Sequence, residues 1–366
     1  MAIRKIALNT GGGDAPGLNA VIRSAVHSAL HRGWECVGIR DGYNGILEPD
    51  EYPQNGLIPL THQSVRGITH LGGTILGTTN RGNPVHYPVR QADGSYIEIN
   101  RVDELLGRFR DEGIDALVAI GGDGSLKIAN AFVEKGFPVV GVPKTIDNDI
   151  FGTEVTFGFD SAVSFATECI DRLHSTAEAH HRVMVVEVMG RYAGWIALHA
   201  GVAGTADAIL IPEIPYSIDK IAAKVMERDA RGRHFSIIVV AEGAKPVDGE
   251  TSIIGKSIGQ AERLGGAGER VVKQIEALTG KESRLVVLGH LLRGGAPTTF
   301  DRLLSLRFGA AAVRSLADGM SGVMVGLESS HIHCVPFSEV AGKMRGVPTT
   351  SDIILTAKDL GITFGD

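Results

Sequence analysis

The sequence predicts an α/β protein whose parallel β-sheets are covered by helices on both faces. Short apolar runs alternate with longer amphipathic stretches along the chain, and this strand-then-helix order is typical of parallel sheets. Several apolar runs end abruptly in glycine-rich or acidic segments. In open α/β sheets, ligands bind beyond the carboxyl ends of the strands, so these endings are candidate sites.

Each element rests on a local pattern. The predicted strands are residues 5–9, 36–40, 116–120, 139–142, 183–188, 208–211, 235–241 and 284–288. Residues 19–31 and 162–174 carry apolar side chains at the spacing of one helical face, so both segments are predicted helices.

Composition restricts the classes of function. The 366 residues suffice for two domains, and 43% hydrophobic with 21% charged residues is typical of a soluble globular protein. A net charge of −6 argues against a general nucleic-acid or membrane-surface binder, although a local site for anions remains compatible with it. The three cysteines form no metal-binding spacing, and the N-terminal apolar run is too short for a signal peptide. These features predict a cytoplasmic protein without a transmembrane span.

Two glycine-rich loops are candidate phosphate sites. Residues 11–17, Gly-Gly-Gly-Asp-Ala-Pro-Gly, join the first predicted strand to the first predicted helix, where backbone amides can close on a phosphate. Residues 72–81 form a second loop, rich in glycine and threonine, and end in Arg81, which suits a phosphate oxygen. Each loop alone fits an ordinary turn as well as a ligand site. The phosphate hypothesis gains weight because both occur.

Residues 121–125, Gly-Gly-Asp-Gly-Ser, follow the predicted strand 116–120. The glycines leave room for a nucleotide. Asp123 is a candidate ligand for Mg²⁺, which usually takes one or two protein carboxylates and binds the phosphates of the substrate. Because lipid kinases and NAD kinases also carry a Gly-Gly-Asp-Gly stretch, the motif indicates phosphoryl transfer without identifying the acceptor.

Residues 144–149, Lys-Thr-Ile-Asp-Asn-Asp, follow the next predicted strand and supply carboxylates. A hydroxyl group that attacks phosphorus needs a base to take its proton, as an aspartate does in kinase catalytic loops. Asp147 is the predicted base, and Asp149 can orient it or hold metal through water. One such aspartate would ordinarily be a helix cap, but its neighbours and the motif at 121–125 favour a site.

Cationic residues at further strand ends predict a phosphate pocket in this net-acidic chain. They are Arg182 before and Arg191 after the strand 183–188, and Arg284, His290 and Arg293 around the strand 284–288. Glu242, after the strand 235–241, can accept hydrogen bonds from sugar hydroxyls. Any one of these residues alone would more often be an ordinary surface charge.

Five motifs in order carry a resemblance to a known family. They are Gly-Gly-Asp-Ala-Pro-Gly at 12–17, Gly-Gly-Asp-Gly-Ser at 121–125, Thr-Ile-Asp-Asn-Asp at 145–149, Val-Glu-Val-Met-Gly-Arg at 186–191 and Gly-His-Leu-Leu-Arg-Gly-Gly at 289–295. Through them the chain resembles the 6-phosphofructokinases over nearly its whole length. The resemblance implies two αβα-sandwich domains with mainly parallel sheets and the active site in the cleft between them. Residues 1–158 plus about 292–342 would bind the phosphoryl donor, and 159–291 plus about 343–366 would bind fructose 6-phosphate.

The resemblance also implies an activity and a role for each site residue. The implied reaction transfers a phosphoryl group to the 1-hydroxyl of fructose 6-phosphate, with Asp147 as the base, Mg²⁺ on Asp123, and Arg191 steadying the transferred group. Expected contacts of the donor are Gly13, Arg81, Gly82, Gly122, Asp123, Gly124 and Ser125, with Lys144 beside them. Expected contacts of the sugar phosphate are Thr145, Ile146, Asp147, Met189, Gly190, Arg191, Glu242, His290, Leu291, Leu292 and Arg293.

Arg182 and Arg284 match family positions that reach into the active site of a neighbouring subunit. The resemblance therefore implies a homodimer or homotetramer with shared active sites. His27 and His174 stand where the allosteric bacterial enzymes have effector-site arginines, so the resemblance does not extend to their regulation by nucleotide or phosphoenolpyruvate.

The motifs give conflicting indications of the phosphoryl donor. Lys144 is the residue typical of pyrophosphate-using members, whereas Gly124 stands where those members carry aspartate. A carboxylate at position 124 would repel the α-phosphate of a nucleotide, and its absence removes that barrier, while Lys144 does not exclude ATP. ATP is therefore the favoured donor, although Ile128 replaces a glycine near the adenosine. The extra segment between Glu242 and Arg284 is typical of the mixed-donor branch.

Two alternatives stay open. The nearer one is a pyrophosphate-dependent fructose 6-phosphate 1-phosphotransferase. The more distant one is a lipid or NAD kinase, which would explain residues 121–124 but not the motifs at 145–149 and 189–191.

Overall fold

The computed structural model describes residues 3–247, 249, 253–255 and 263–366. The chain divides into two compact units. The first comprises Met1–Thr145, Ile150–Gly158 and Arg293–Met344. The second comprises Ile146–Asp149, Phe159–Leu292 and Arg345–Asp366. That one unit binds the donor and the other the sugar phosphate stays a prediction.

The regular elements alternate along the chain. The strands are β1 (Lys5–Thr10), β2 (Glu35–Ile39), β3 (Leu57–Pro59), β4 (Tyr87–Arg90), β5 (Tyr96–Ile99), β6 (Ala116–Gly121), β7 (Val139–Pro143), β8 (Val183–Val188), β9 (Ala208–Leu210), β10 (Ser236–Ala241), β11 (Ile253–Gly255), β12 (Arg263–Leu264), β13 (Ser283–Val287), β14 (Val323–Glu328) and β15 (His331–Pro336). The α-helices are α1 (Leu18–Leu30), α2 (Asn44–Leu47), α3 (Val102–Asp111), α4 (Asp123–Glu134), α5 (Phe159–His180), α6 (Trp195–Ala203), α7 (Ile218–Ala230), α8 (Ala267–Thr279), α9 (Thr299–Ala317), α10 (Phe337–Val340) and α11 (Asp352–Asp359).

The first unit is built on a seven-stranded sheet in the order β15-β14-β7-β6-β1-β2-β3. Neighbours from β14 to β2 pair in parallel, and the antiparallel strands β15 and β3 form the two edges. Side chains of β1 alternate between the faces: Ile6 and Leu8 pack with α1 and α9, whereas Ala7 packs with α3 and α4. Helices therefore cover both faces, and this burial explains why β6 and β7 read as continuous apolar runs.

The second unit is built on a four-stranded parallel sheet in the order β13-β8-β10-β9. On one face, Val183, Val185 and Ile238 pack against α7 and α8. Helices α5 and α6 contact the same strands from the other side. Two separate antiparallel hairpins, β4–β5 and β11–β12, complete the sheets of the described residues.

The predicted fold class, α/β with mainly parallel sheets, is confirmed. Each predicted strand is present to within one or two residues at its ends. The predicted helix 162–174 was too short, because α5 runs on to His180 with a largely exposed last turn. Among the described residues, no helix is long and apolar enough to span a membrane.

Candidate active site

The predicted site residues fall into both units. The first unit contains Gly13, Arg81, Gly82, Gly122, Asp123, Gly124, Ser125, Lys144, Thr145 and Arg293, and the second contains Ile146, Asp147, Arg182, Met189, Gly190, Arg191, Glu242, Arg284, His290, Leu291 and Leu292. All expected donor contacts therefore lie in the first unit. The expected sugar-phosphate contacts lie in the second unit, except Thr145 and Arg293.

The two glycine-rich loops predicted from the sequence are joined in the first unit. The N–H of Gly12 donates to the carbonyl oxygen of Thr79 at 3.1 Å, and the hydroxyl of Thr78 donates to the carbonyl oxygen of Gly12 at 2.6 Å. Gly12 and Gly17 have φ angles of 78° and 109°, a region that favours glycine, and α1 begins directly after Gly17. The loops thus form one surface of backbone groups beyond the end of β1.

Two cationic side chains, those of Lys144 and Arg293, donate hydrogen bonds to the 11–17 loop. Lys144 is only 4% exposed, and its Nζ donates to the carbonyl oxygen of Gly13. The guanidinium of Arg293 donates to the carbonyl oxygen of Asp14 at 2.9 Å, and a Cβ atom on Gly13 would lie 2.8 Å from that guanidinium. Glycine at position 13 therefore allows Arg293 to approach, and the loop is surrounded by positive charge that favours an anion.

The N-terminus of α4 lies next to this loop. Gly122 precedes the helix, so the amides of residues 123–125 belong to its first turn and have no acceptor within the helix. The side chain of Ser125 packs on the backbone of two glycines: an added Cβ would approach its Oγ to 2.6 Å from Gly11 and 2.3 Å from Gly121. At Gly124, by contrast, an added Cβ would meet no atom within 4 Å apart from its chain neighbours and the backbone of the helix itself. The helix start is therefore open at Gly124, and its amides are suited to an anion.

Asp123 is the carboxylate of this helix start. One oxygen accepts from the N–H of Gly342 at 3.0 Å, and the other pairs with Nζ of Lys127 at 2.7 Å. The Lys127 side chain is 53% exposed and can swing away. Among the described residues, no cluster of three or more His, Cys, Asp or Glu side chains could hold a metal. The donor set thus fits Mg²⁺ that arrives with substrate phosphates and takes a single protein carboxylate.

Arg81 and Gly82 follow the second loop. Arg81 is exposed, and its backbone N–H donates to the hydroxyl of Thr79 at 2.9 Å. Gly82 has a φ angle of 75°, and an added Cβ would lie 1.9 Å from Oδ1 of Asn44. The fold alone therefore requires glycine at position 82, whereas the exposed guanidinium of Arg81 remains compatible with binding an anion.

The predicted base lies on a four-residue segment of the second unit, Ile146–Asp149. Ile146 is fully buried and Asn148 is 3% exposed, with a left-handed φ of 53°. Arg345 holds this segment: its N–H donates to the carbonyl oxygen of Asp149 at 2.9 Å and its guanidinium to that of Asn148 at 3.3 Å. In the first unit, the carbonyl oxygen of Thr145 accepts from the hydroxyl of Thr156 at 2.8 Å.

The carboxyl ends of β8, β10 and β13 carry the other residues expected to bind the sugar phosphate. The N–H of Glu242 donates to the carbonyl oxygen of Val188 at 2.9 Å, and that of Gly243 to Gly190 at 3.1 Å. Gly190, which lies between Met189 and the partly exposed Arg191, has a φ of 138°, a region that favours glycine. After β13, His290 and Leu291 are exposed on a short 3₁₀ turn, whereas Leu292 is buried.

Arg182 and Arg284 lie at the opposite, amino-terminal edge of the same sheet. Both arginines pair with one carboxylate, Glu282, and the Arg182 contact measures 2.9 Å. The hydrogen bond from Arg182 in particular lowers the pKa of Glu282. Arg191 follows the far end of β8, which at about 3.3 Å per residue is roughly 20 Å long. Within one chain, the two arginines and Arg191 cannot bind the same phosphate group.

Two residues that contact the predicted site were not predicted from the sequence. Lys127 is one turn along α4 from Asp123, a spacing at which an ion pair is foreseeable. No sequence pattern indicated a role for Arg345, because its partners are backbone carbonyl oxygens far away in the sequence.

The chain is similar to known proteins over nearly its whole length. The family model described as Phosphofructokinase matches residues 5–316. An ATP-dependent 6-phosphofructokinase of Chloroflexus aurantiacus is 52% identical over 366 residues, 99% of this chain and 98% of that protein. A pyrophosphate–fructose 6-phosphate 1-phosphotransferase of Amycolatopsis mediterranei is 48% identical over 347 residues, 94% of this chain and 96% of that protein. The solved phosphofructokinase of Pichia pastoris in the T-state has a TM-score of 0.78 at 31% identity, covering 93% of this chain and 36% of that longer chain.

Proposed function

The chain belongs to the phosphofructokinase family, and from that premise we propose that it is an ATP-dependent 6-phosphofructokinase. It transfers the γ-phosphoryl group of ATP to the 1-hydroxyl of D-fructose 6-phosphate and forms fructose 1,6-bisphosphate, a step of glycolysis. The observation that favours ATP as the donor is the open start of α4. Gly124 leaves space there for a nucleotide on the solvent side of the helix.

The first unit binds the donor. Backbone amides at the start of α4 and the joined loops at 11–17 and 72–82 surround the phosphates, and Lys144, Arg293 and Arg81 supply positive charge. Asp123, which pairs with the exposed Lys127 in this structure, would hold Mg²⁺ that arrives with the donor phosphates. Mg²⁺ would supply neutralisation of the negative charge on those phosphates.

The second unit binds the acceptor. Asp147 takes the proton of the 1-hydroxyl as its oxygen attacks the γ-phosphorus, and Arg191 stabilises the charge on the transferred group. Met189, Glu242 and His290 lie at the carboxyl ends of the strands that hold the sugar. The proton passes to the Asp147 carboxylate. The bond between the γ-phosphorus and the bridging oxygen breaks as the new P–O bond forms, so ADP leaves with that oxygen.

A neighbouring subunit completes the sugar-phosphate site. Arg182 and Arg284 are held together by Glu282 at the edge of the sheet away from Arg191, which supports their assignment to the site of another copy. The functional assembly is therefore a homodimer or homotetramer. Phosphorylated substrates and unpaired Cys36, Cys169 and Cys334 support a cytoplasmic location.

Pyrophosphate is the second candidate donor, because a relative named for it is 48% identical. In this chain, however, the ammonium group of Lys144 is buried against Gly13, where it braces a loop that either donor would need. The test is a panel of ATP, ADP, GTP and pyrophosphate with fructose 6-phosphate and Mg²⁺. We expect turnover with ATP and little or none with pyrophosphate. NAD and diacylglycerol as acceptors test the more distant alternative, and turnover of either in place of fructose 6-phosphate would overturn the proposed activity.

A further inference from the structure

We infer that Arg345 is a positioning residue that fixes Asp147 relative to the loop that carries Arg191. The inference rests on the proposed function, because it assigns Asp147 the role of the base. All contacts that support it lie within the second unit.

The first observation is that Arg345 donates two hydrogen bonds to the segment that contains Asp147. Its backbone N–H donates to Asp149, and its guanidinium donates to Asn148, so two successive carbonyl oxygens after Asp147 are held by one residue. The φ angle of 53° at Asn148 lies in the left-handed region, which asparagine adopts more readily than most residues. The two hydrogen bonds from Arg345 fix where this turn lies.

The second observation is that Arg345 is itself fixed by Trp195. The guanidinium carbon lies 4.3 Å from the centroid of the indole ring, within the range of a cation–π contact. The indole N–H donates to the carbonyl oxygen of Arg345 at 2.9 Å. Trp195 is 6% exposed and begins α6, so it is a rigid support.

The third observation is a connection between residues 345–347 and the loop that contains Arg191. The loop after β8 ends at Gly194, whose N–H donates to the carboxylate of Glu213 at 3.0 Å, and the N–H of Val347 donates to the same oxygen at 2.8 Å. Residues 345–347 thus contact the 146–149 segment directly and are connected to the end of the Arg191 loop through the carboxylate of Glu213. The placement of the base relative to Arg191 therefore depends on Arg345.

Three variants test this role. Arg345→Met keeps an unbranched side chain but removes the guanidinium group, with its charge, its hydrogen bond to Asn148 and its contact with Trp195, while the backbone bond to Asp149 remains. Arg345→Lys keeps the charge, and Trp195→Phe removes the indole donor. Arg231→Met is the matched control. Arg231 is a mostly exposed arginine of the same unit, and the one contact that the structure records for its side chain is an ion pair with Glu227. For each folded variant, kcat and both KM values are measured with ATP and fructose 6-phosphate.

We expect Arg345→Met to lower kcat by about 10- to 100-fold, because a misplacement of about 1 Å can cost that much. Both KM values should stay within about threefold, since binding contacts are retained. Arg345→Lys should recover part of kcat, Trp195→Phe should lose less than Arg345→Met, and the control should match the wild type. A folded Arg345→Met variant with wild-type kcat, or with a loss confined to KM, overturns the inference. If that variant does not fold, wild-type kcat in Arg345→Lys overturns it.

Hydrogen exchange separates this inference from the proposed function, because it requires no turnover. Amides of the peptide that contains Ile146–Asp149 should exchange faster in Arg345→Met than in the wild type, while those of α7 should not change. Unchanged exchange at 146–149 contradicts the role of Arg345. An inactive wild type with faster exchange in the variant contradicts the proposed function and leaves the positioning contact supported.

Discussion

Lys144 donates a hydrogen bond from its buried ammonium group to the carbonyl oxygen of Gly13. The residue that sequence comparison associates with the choice of donor thus also supports the glycine-rich loop. Since the loop is proposed to bind the phosphates of either donor, we expect Lys144 to support phosphate binding in general. Discrimination between donors is then expected to depend on position 124.

Lys144→Met should impair the use of ATP and reduce stability. Removal of a buried donor leaves the carbonyl oxygen of Gly13 without this partner, which typically costs about 1–3 kcal/mol of unfolding free energy. We expect a lower Tm and a higher KM for ATP, measured by calorimetry and steady-state kinetics. Lys127→Met, at an exposed lysine on α4, controls for the loss of a positive charge on Tm. Unchanged Tm and ATP kinetics would show that the Lys144 contact has no such role.

Gly124→Asp should change the preference between donors. No described atom lies near an added Cβ, so the carboxylate is accommodated without a shift of the backbone. It repels the α-phosphate of ATP, and since like-charge contacts cost several kcal/mol, kcat/KM for ATP should fall by about 100-fold or more. Pyrophosphate has no group beyond its leaving phosphate and is expected to become usable. Adding Lys144→Met to this variant should abolish that new activity.

Gly124→Asn is the matched control, since it has the same shape without the charge and should retain most ATP activity. The measurement is kcat/KM with both donors in the wild type and both variants. Equal losses of ATP activity in the Asn and Asp variants would assign the effect to size. A wild type that prefers pyrophosphate would mean that Lys144, and not Gly124, decides the donor.

Asp147→Asn should fold normally and lose turnover by about 10²–10⁴-fold, the usual contribution of a general base. The KM for fructose 6-phosphate should change little, because the amide fills the same space. Asp171→Asn, at an exposed aspartate of α5, is the control and should behave as the wild type. Full turnover in Asp147→Asn would exclude this residue as the base.

Arg182→Ala and Arg284→Ala should each raise the KM for fructose 6-phosphate more than they lower kcat, since contacts to a non-reacting phosphate act equally in ground and transition states. Mixed oligomers of Arg182→Ala with Asp147→Asn subunits should regain activity, because some sites then contain both intact residues. Arg231→Ala serves as the surface control. If mixed oligomers verified by mass regain no activity, the two residues serve the same chain's site.

Most of the parallel core of both units could be predicted, because buried strands appear in the sequence as apolar runs, but the parallel strand β14 was missed. Strands β6, β7 and β8 are buried on both faces and appear in the sequence as unbroken apolar runs that end in polar motifs. The antiparallel edge strands β3 and β15 were missed. β3 has only three residues, and β15 follows a Ser329–Ser330 turn with φ angles of 44° and 69° that lacks the usual glycine or asparagine.

The candidate site was predictable where function depends on local sequence. Asp123 and Asp147 each stand in a motif directly after a strand, so their positions follow from strand endings. Arg345 was not predictable, because it acts through carbonyl oxygens that every residue possesses. The sharing of Glu282 by Arg182 and Arg284 likewise depends on the register of two strands that are distant in the sequence.

The empty space around Gly124 has an evolutionary consequence. Codons for glycine and aspartate can differ by a single base, and the backbone at this position accepts a side chain without strain or collision. If position 124 selects the donor, as proposed, a lineage with this architecture can exchange one phosphoryl donor for the other without first rebuilding its core. Two proteins that are 52% and 48% identical to this chain are named for ATP and for pyrophosphate, respectively.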